Sequence, residues 1–153
     1  MGAVYFYQLR DSPLEATLPM LLGKTQEAGW RTLVRGTDDG AMKRLDDVLW
    51  GGPEGAFLPH GLAGGAHDLD QPILLGVDQS ADGFDCIMSV SGAHVSAAEI
   101  GLAERTCVLF DGHDEGALQF ARGQWKTLTD AGCSAQYWAQ DDGRWIKKAE
   151  SGV

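Results

Sequence analysis

Ala3-Val4-Tyr5-Phe6-Tyr7-Gln8-Leu9, followed by Arg10-Asp11-Ser12-Pro13 and a leucine-rich segment, sets the expected architecture of this chain. The first stretch is aromatic and β-branched, which predicts a β-strand. Ser12 and Pro13 are typical of the start of a helix, with Ser12 as its N-cap. The leucines beyond them recur at helical spacing until Gly29, which predicts a helix that ends there.

Strand and helix patterns alternate along the rest of the chain. Further strands are predicted at residues 30–35, 72–77, 84–90, 105–110, 134–139 and 144–148. The glycine- and proline-rich stretch 50–67 is expected to contain no regular element. This alternation predicts a three-layer α/β sandwich around a mostly parallel sheet, with one antiparallel edge.

Two more helices and a terminal hairpin complete the expected architecture. Asp38 is predicted to cap the second helix. One side of that helix is expected to be buried, and it consists of Met42, Leu45, Val48 and Leu49. The last helix is predicted over residues 114–131, with Gly132 just past its end. Asp142-Gly143 predicts a hairpin turn between the last two strands.

Composition restricts the class of protein. The chain has 153 residues, of which 44% are hydrophobic, so we expect a single folded domain over 1–153. Twelve basic against 22 acidic residues give a net charge of −10, which makes direct nucleic-acid binding unexpected. Cys86, Cys107 and Cys133 are far apart in sequence, which suits buried thiols in a reducing cytoplasm and not a disulfide framework.

Nucleotide-binding motifs are incomplete in this sequence. Gly23-Lys24-Thr25 resembles the end of a phosphate-binding loop, but Leu18 stands where that motif requires its first glycine. The triplet also lies late in a predicted helix, and no Gly-x-Gly-x-x-Gly follows a strand. We therefore expect neither a nucleotide site nor a cofactor.

An enzyme on the same scaffold is one alternative. Asp111-Gly112-His113-Asp114 follows a predicted strand, where carboxylates could hold a metal. The simpler interpretation is a turn followed by the N-cap of the next helix. His60 is a further candidate for catalysis, although no histidine has a partner at metal-ligand spacing.

The loop at residues 50–60 is unusual because it is apolar as well as rich in glycine and proline. Trp50 and Phe57 are costly to leave in water, so they either fold back onto the core or form a patch that docks a partner. A homodimer formed through this loop is a second alternative.

The last predicted helix combines an apolar face with a positive stripe. Leu118, Ala121, Trp125 and Leu128 share one face. Arg122 and Lys126 run beside that face. An aromatic ring beside two cations suits a short ligand that is both apolar and acidic.

Several blocks of the sequence, in order along the chain, match one known family. They are Val4-Tyr5-Phe6-Tyr7-Gln8-Leu9, Arg44-Leu45-Asp46-Asp47-Val48-Leu49-Trp50, Phe57-Leu58-Pro59-His60-Gly61-Leu62-Ala63-Gly64, Pro72-Ile73-Leu74-Leu75, Cys107-Val108-Leu109-Phe110-Asp111 and Ala121-Arg122-x-x-Trp125-Lys126. In these blocks the chain resembles the chi subunit family of bacterial DNA polymerase III holoenzyme.

The resemblance implies a Rossmann-like fold that lacks a nucleotide site, and a non-catalytic accessory subunit. Such a subunit binds the acidic, Phe-ending C-terminal tail of single-stranded DNA-binding protein. The resemblance places the tail site on Arg122, Trp125 and Lys126. Leu118 stands where the family has a further lysine.

The resemblance also implies a second contact, with the psi subunit or another component of the clamp loader. The patch for this contact falls on Trp50, Pro53, Phe57 and Leu58. Binding at both patches would tether single-stranded DNA-binding protein to the replication machinery in the cytoplasm.

Overall fold

The computed structural model describes residues 2–50, 60–64, 71–77 and 79–152. Within these residues the chain forms eight strands and four helices. The strands are β1 (Ala3–Leu9), β2 (Thr32–Gly36), β3 (Gly61–Leu62), β4 (Ile73–Val77), β5 (Cys86–Ser89), β6 (Arg105–Asp111), β7 (Ser134–Asp141) and β8 (Arg144–Ser151). The helices are α1 (Leu14–Glu27), α2 (Asp39–Trp50), α3 (Ala97–Leu102) and α4 (Glu115–Asp130).

All eight strands form one sheet in the order β3-β4-β2-β5-β6-β1-β7-β8. Neighbouring strands are parallel, except that β7 and β8 form an antiparallel hairpin at one edge. Strand β1 lies between β6 and β7, and its Phe6 is in register with Val108 on one side and Tyr137 on the other. The predicted mostly parallel sheet with an antiparallel edge is confirmed.

Helices cover both faces of the sheet. Strand side chains alternate between the two faces, so both faces carry apolar residues that the helices bury. On one face, Leu9 of β1 packs with buried residues of α1 and α2. On the other face, Phe6 of β1 packs with Ile100 of α3 and Leu128 of α4. The two cores lie on opposite sides of the sheet, which confirms the three-layer α/β sandwich.

The start of α1 differs from the prediction. Pro13 is the N-cap residue of α1, and no side chain caps the helix, so Ser12 does not act as the cap. Pro13 can stand at this position because a proline at a helix start sacrifices no intrahelical hydrogen bond. Gly29 ends the segment as expected, with a φ of +76°.

Helix α2 begins as predicted but buries a narrower face. The Asp38 carboxylate accepts a hydrogen bond from the Ala41 N–H at 2.9 Å. Met42, Leu45 and Leu49 are buried, whereas Val48 is 37% exposed. Adjacent helix residues point about 100° apart, so Val48 lies outside the face that contains Leu49.

Two short elements, β3 and α3, were not predicted from the sequence. Gly61 and Leu62 form β3 inside a stretch that was predicted to be irregular, because they pair with β4 and the Ala63 N–H donates to the Leu75 carbonyl. Helix α3 begins with a capping box, in which Ser96 and Glu99 each accept the backbone N–H of the other.

The hairpin turn is confirmed by its backbone. Asp142 and Gly143 both have positive φ, at 54° and 76°, as a two-residue turn between antiparallel strands requires. Among the described residues, no helix is both long and apolar enough to cross a membrane.

Two glycine positions give opposite expectations for stability. A Cβ at Gly112 would lie 2.7 Å from the Leu9 carbonyl oxygen, whereas one at Gly123, inside α4, would have nothing within 4 Å. We expect Gly112→Ala to lower the free energy of unfolding by about 1 to 3 kcal/mol. Gly123→Ala should raise it by about 1 kcal/mol, because alanine is the better helix former. Urea denaturation measures both, and equal effects of the two variants would contradict the packing described at Gly112.

Candidate partner-binding surface

Helix α4 is held at both ends, which fixes the side chains along it. At its start the Asp114 carboxylate accepts hydrogen bonds from the N–H groups of Gly116 and Ala117, at 2.9 and 3.3 Å. Just past its end, Gly132 has a φ of +88°. Asp114 and Gly132 therefore confirm the predicted boundaries.

Gln124 is a buried polar residue of α4 that the sequence analysis did not single out. Its side-chain oxygen accepts a hydrogen bond from the Val95 N–H at 3.2 Å. This contact joins the middle of α4 to the segment before α3. The residue was missed because its partner lies 29 positions away in sequence.

Trp125 is a half-buried member of the core and not a free aromatic ring. It packs edge-on against Phe6, with the ring centroids 5.5 Å apart, and against Tyr137 at 5.9 Å. Leu118, two turns earlier on α4, is also half-buried against the same core. Core packing therefore holds Trp125 and Leu118 in place while part of each side chain stays accessible.

The two predicted cations have different surroundings. Lys126 is exposed, and its ammonium group lies 3.0 Å from the carboxylate of Asp130, one turn further along α4. Arg122 is also exposed. Among the residues that the structure describes, Arg122 forms no ion pair or side-chain hydrogen bond. Arg122 is therefore available to an external anion, whereas Lys126 is partly neutralised by its own helix.

Tyr137 of β7 belongs to the same surface, although sequence reasoning passed over it. Its ring stacks on Phe6 and lies beside Trp125. Its hydroxyl donates a hydrogen bond to the Gln8 side-chain oxygen at 2.5 Å. Burial raises the pKa of Tyr137, and the nearby positive charges of Arg122 and Arg10 act in the opposite direction. Strand pairing places β7 beside β1, and α4 packs on both strands. No local pattern could therefore have revealed the residue.

The second predicted patch is described at one residue. Trp50 ends α2, is 59% exposed and lies against the His60 ring, with the centroids 4.2 Å apart. The other three members, Pro53, Phe57 and Leu58, lie outside the described residues.

His60, which the enzyme alternative named, is buried against helix α2. Its Nε2 atom lies 3.3 Å from the Asp46 carbonyl oxygen and 3.2 Å from the Asp46 carboxylate. The ring of His60 thus ties the segment that contains β3 to α2 beneath Trp50.

A pocket of about 810 Å³ lies beyond the carboxyl ends of β1 and β6, between the starts of α1 and α4. Ligands of open α/β sheets commonly bind in such a crevice. Two of the carboxylates at its rim are engaged in local structure: Asp111 accepts from the His113 N–H, and Asp114 caps α4. Within the described ranges, no three acidic, histidine or cysteine side chains are grouped to hold a metal ion.

The loop after β1 forms an anion-binding arrangement that the protein fills itself. The N–H groups of Arg10, Asp11 and Ser12 all point to the side-chain oxygen of Gln140, at 2.8, 3.0 and 3.2 Å. Consecutive N–H groups in this arrangement form a nest that typically holds a phosphate or a carboxylate. In this protein an oxygen of its own Gln140 side chain occupies the nest.

This contact makes Gln140 a test of the crevice. Gln140→Ala leaves three N–H groups without their acceptor, and we expect it to lower the free energy of unfolding by about 1 to 3 kcal/mol. Gln140→Glu, the matched control, keeps an acceptor oxygen and should lose less. Thermal and urea unfolding measure both, and an unchanged stability of Gln140→Ala would show that the nest does not depend on this side chain.

Comparisons with known proteins give one family. A family model described as "DNA polymerase III chi subunit, HolC" matches residues 1–136. The DNA polymerase III subunit chi of Escherichia coli (strain K12) is 28% identical over 123 residues, which cover 79% of this chain and 82% of that protein. The crystal structure of the C-terminal domain of a possible DNA helicase from Lactobacillus plantarum WCFS1 superimposes with a TM-score of 0.49 and 14% identity, over 72% of this chain and 74% of the other.

Proposed function

The chain belongs to the DNA polymerase III chi subunit family, and on this premise we propose that it is a non-catalytic adaptor of the replication machinery. As an accessory subunit of DNA polymerase III, it binds the acidic, Phe-ending C-terminal tail of single-stranded DNA-binding protein on α4. A second patch, at the end of α2, binds the psi subunit or another clamp-loader component.

The exposed Arg122 beside a half-buried aromatic ring is the observation that carries the proposal. In a chain of net charge −10, Arg122 lies three residues before Trp125 on α4 and forms no ion pair with the described residues. A guanidinium can donate two parallel hydrogen bonds to one carboxylate, which suits an acidic peptide.

The residues near Arg122 on α4 have different roles in the proposed tail site. Trp125 and Leu118 offer accessible apolar surface to the terminal phenylalanine of the tail, and core packing holds both of them. Lys126 adds positive charge at one side, but it must share its charge with Asp130. We therefore rank Arg122 above Lys126 in its contribution to binding.

The second patch supplies the other half of the tether. Trp50 is a large exposed aromatic residue at the end of a helix, and such residues are typical anchors of protein interfaces. Pro53, Phe57 and Leu58 are proposed to extend the patch. Because single-stranded DNA-binding protein carries several tails, weak individual contacts would gain from the linkage.

The same proposal includes the absence of catalysis, of a cofactor and of direct DNA binding. The negative net charge disfavours contact with a phosphate backbone. Asp111 and Asp114, which the enzyme alternative named, are engaged in a turn and a helix cap. The adaptor would act in the cytoplasm, with the polymerase.

A labelled acidic peptide that ends in phenylalanine tests the tail site. We expect saturable binding that weakens as salt rises, because exposed charges are screened. Arg122→Ala should cost about 2 kcal/mol, a roughly 30-fold higher Kd. Lys126→Ala should cost less than about 1 kcal/mol. Fluorescence anisotropy measures each affinity.

The matched control is Arg44→Ala, which removes an exposed arginine of α2 that lies 4.0 Å from Asp38. It removes one positive charge, as Arg122→Ala does, and should leave the affinity for the tail peptide unchanged. Equal Kd values for Arg122→Ala and Arg44→Ala would remove the tail site from α4.

A second experiment separates the two patches. Trp50→Ala should weaken binding to the reconstituted clamp loader by about tenfold or more, because an aromatic anchor that the partner would bury is lost. Its affinity for the tail peptide should not change. Met20→Ala, which truncates another exposed apolar side chain, is the control. Unchanged binding of the clamp loader to Trp50→Ala would exclude Trp50 from that interface.

A further inference from the structure

The crevice of about 810 Å³ lies where the connections to the two faces of the sheet diverge. Strands β1 and β6 are parallel neighbours, but β1 leads into α1 on one face and β6 leads into α4 on the other. Ligands of open α/β sheets bind outside the carboxyl ends of the strands at such a point. The volume also lies within the range of about 300 to 1,000 Å³ that is typical of ligand pockets. The fold therefore favours this crevice as a binding site, and the proposed adaptor function does not use it.

Oxygens of the protein itself occupy groups that would attract an anion to this crevice. The nest after β1 holds the side-chain oxygen of Gln140. At the start of α4, one carboxylate oxygen of Asp114 accepts two backbone N–H groups. The carboxylate of Glu15 lies in the first turn of α1. Backbone nests and helix starts carry partial positive charge, and here acceptor or acidic side chains already stand against them.

The rim of the crevice is mainly negative. Its charged or titratable side chains are those of Asp11, Glu15, Asp111 and Asp114, against Arg10 and His113. All six residues are exposed, and within the described ranges the four carboxylates form no ion pair. Backbone N–H groups use one oxygen each of Asp11, Asp111 and Asp114. The second oxygen of each, and both oxygens of Glu15, can therefore accept from a ligand.

The floor of the crevice is apolar. Leu9 and Phe110, at the ends of the two strands, are buried, and Leu14 and Phe120 are half-buried on the helices at either side. A cleft with low-dielectric walls and one sign of charge concentrates ions of the opposite sign. A lysine or arginine side chain suits both parts, because its methylene stem packs on apolar surface while its charged end reaches the rim.

We propose that this crevice binds a basic peptide segment of a partner protein, in which arginine or lysine stands next to apolar residues. The apolar side chains of the peptide would pack on the floor, and its cations would pair with Glu15 and the unused oxygens at the rim. The proposal does not depend on the tail site. Phe120 is two positions from both Leu118 and Arg122, so it points about 200° away from them around α4.

A short labelled peptide in which leucine and arginine alternate, with both ends blocked, tests the proposal by fluorescence anisotropy. We expect saturable binding that weakens as salt rises. Glu15→Gln should raise Kd about two- to fivefold, the range of an exposed ion pair. Glu27→Gln is the matched control, because it removes an exposed carboxylate from the other end of α1, away from the crevice. Equal effects of the two variants would show only a general attraction to an acidic protein and would overturn the proposal.

Arg10→Ala should change the affinity in the opposite direction. It removes a positive charge from the rim, so Kd for the basic peptide should fall about two- to threefold. Arg44→Ala, which removes an exposed arginine of α2, should leave Kd unchanged. A higher Kd for Arg10→Ala would indicate a site for an anion and contradict the proposal.

Two further probes define the class of ligand. A peptide that alternates serine and arginine has the same charge without the apolar side chains, and it should bind at least about fivefold more weakly. Spermidine, a small organic cation, should bind more weakly still. Equal affinity for the leucine peptide and either probe would make the crevice a simple cation site and overturn the peptide assignment.

NMR locates the bound peptide and separates this proposal from the adaptor function. The backbone amide signals of residues 10–15 and 114–117 should shift most when the leucine–arginine peptide is added. Shifts confined to other residues, or no binding at all, would remove the peptide from the crevice. An excess of the acidic, Phe-ending peptide should not displace it, and displacement would contradict two separate sites. Loss of tail binding in Arg122→Ala with unchanged binding of the basic peptide is the result expected if both proposals hold.

Discussion

The packing of Phe6 between the sheet and α4 is the contact on which much of this structure depends. Phe6 lies in the middle of β1 and is fully buried, between β6 and β7. Its ring stacks on Tyr137 and receives the edge of Trp125. The same side chain therefore holds the position of α4 and the two aromatic rings at the candidate surface.

This arrangement makes the candidate surface an outward extension of the core. Trp125 and Tyr137 keep their positions through contacts that already contribute to folding, so a partner need not order them. The charged group follows the same logic, because Arg122 extends from a helix that is capped at its start. The guanidinium of Arg122 is thus attached to a rigid element.

The crevice at the carboxyl ends of the strands contains a contact between the terminal hairpin and the loop after β1. Gln140 reaches it from the terminal hairpin and accepts the three N–H groups of the loop after β1. Asp11 in turn accepts the N–H of Gly143 in the hairpin turn, at 2.7 Å. An arrangement that could hold a phosphate instead fastens the hairpin to β1. This contact stabilises β7. Tyr137 of the candidate surface lies on the same strand, so the contact also helps to hold that surface in place.

Local patterns determined most of the elements of this protein. Strand β1, the end of α1 at Gly29, the boundaries of α4 and the turn at Asp142 all depend on residues close in sequence, so propensity and capping predicted them. The chi family resemblance came from local blocks for the same reason, and it selected Arg122, Trp125 and Lys126.

Only the tertiary structure decided what these residues contact. The pairing of Gly61 with β4, the partial burial of Trp125 and the position of Tyr137 depend on elements that are far apart in sequence. Lys126 and Asp130 are four residues apart on a helix, so their pairing could be predicted from the sequence. Whether Lys126 pairs with Asp130 or with an external ligand depends on the groups that the fold places nearby. Sequence spacing describes one helix or strand at a time, whereas the candidate surface is built where α4, β1 and β7 meet.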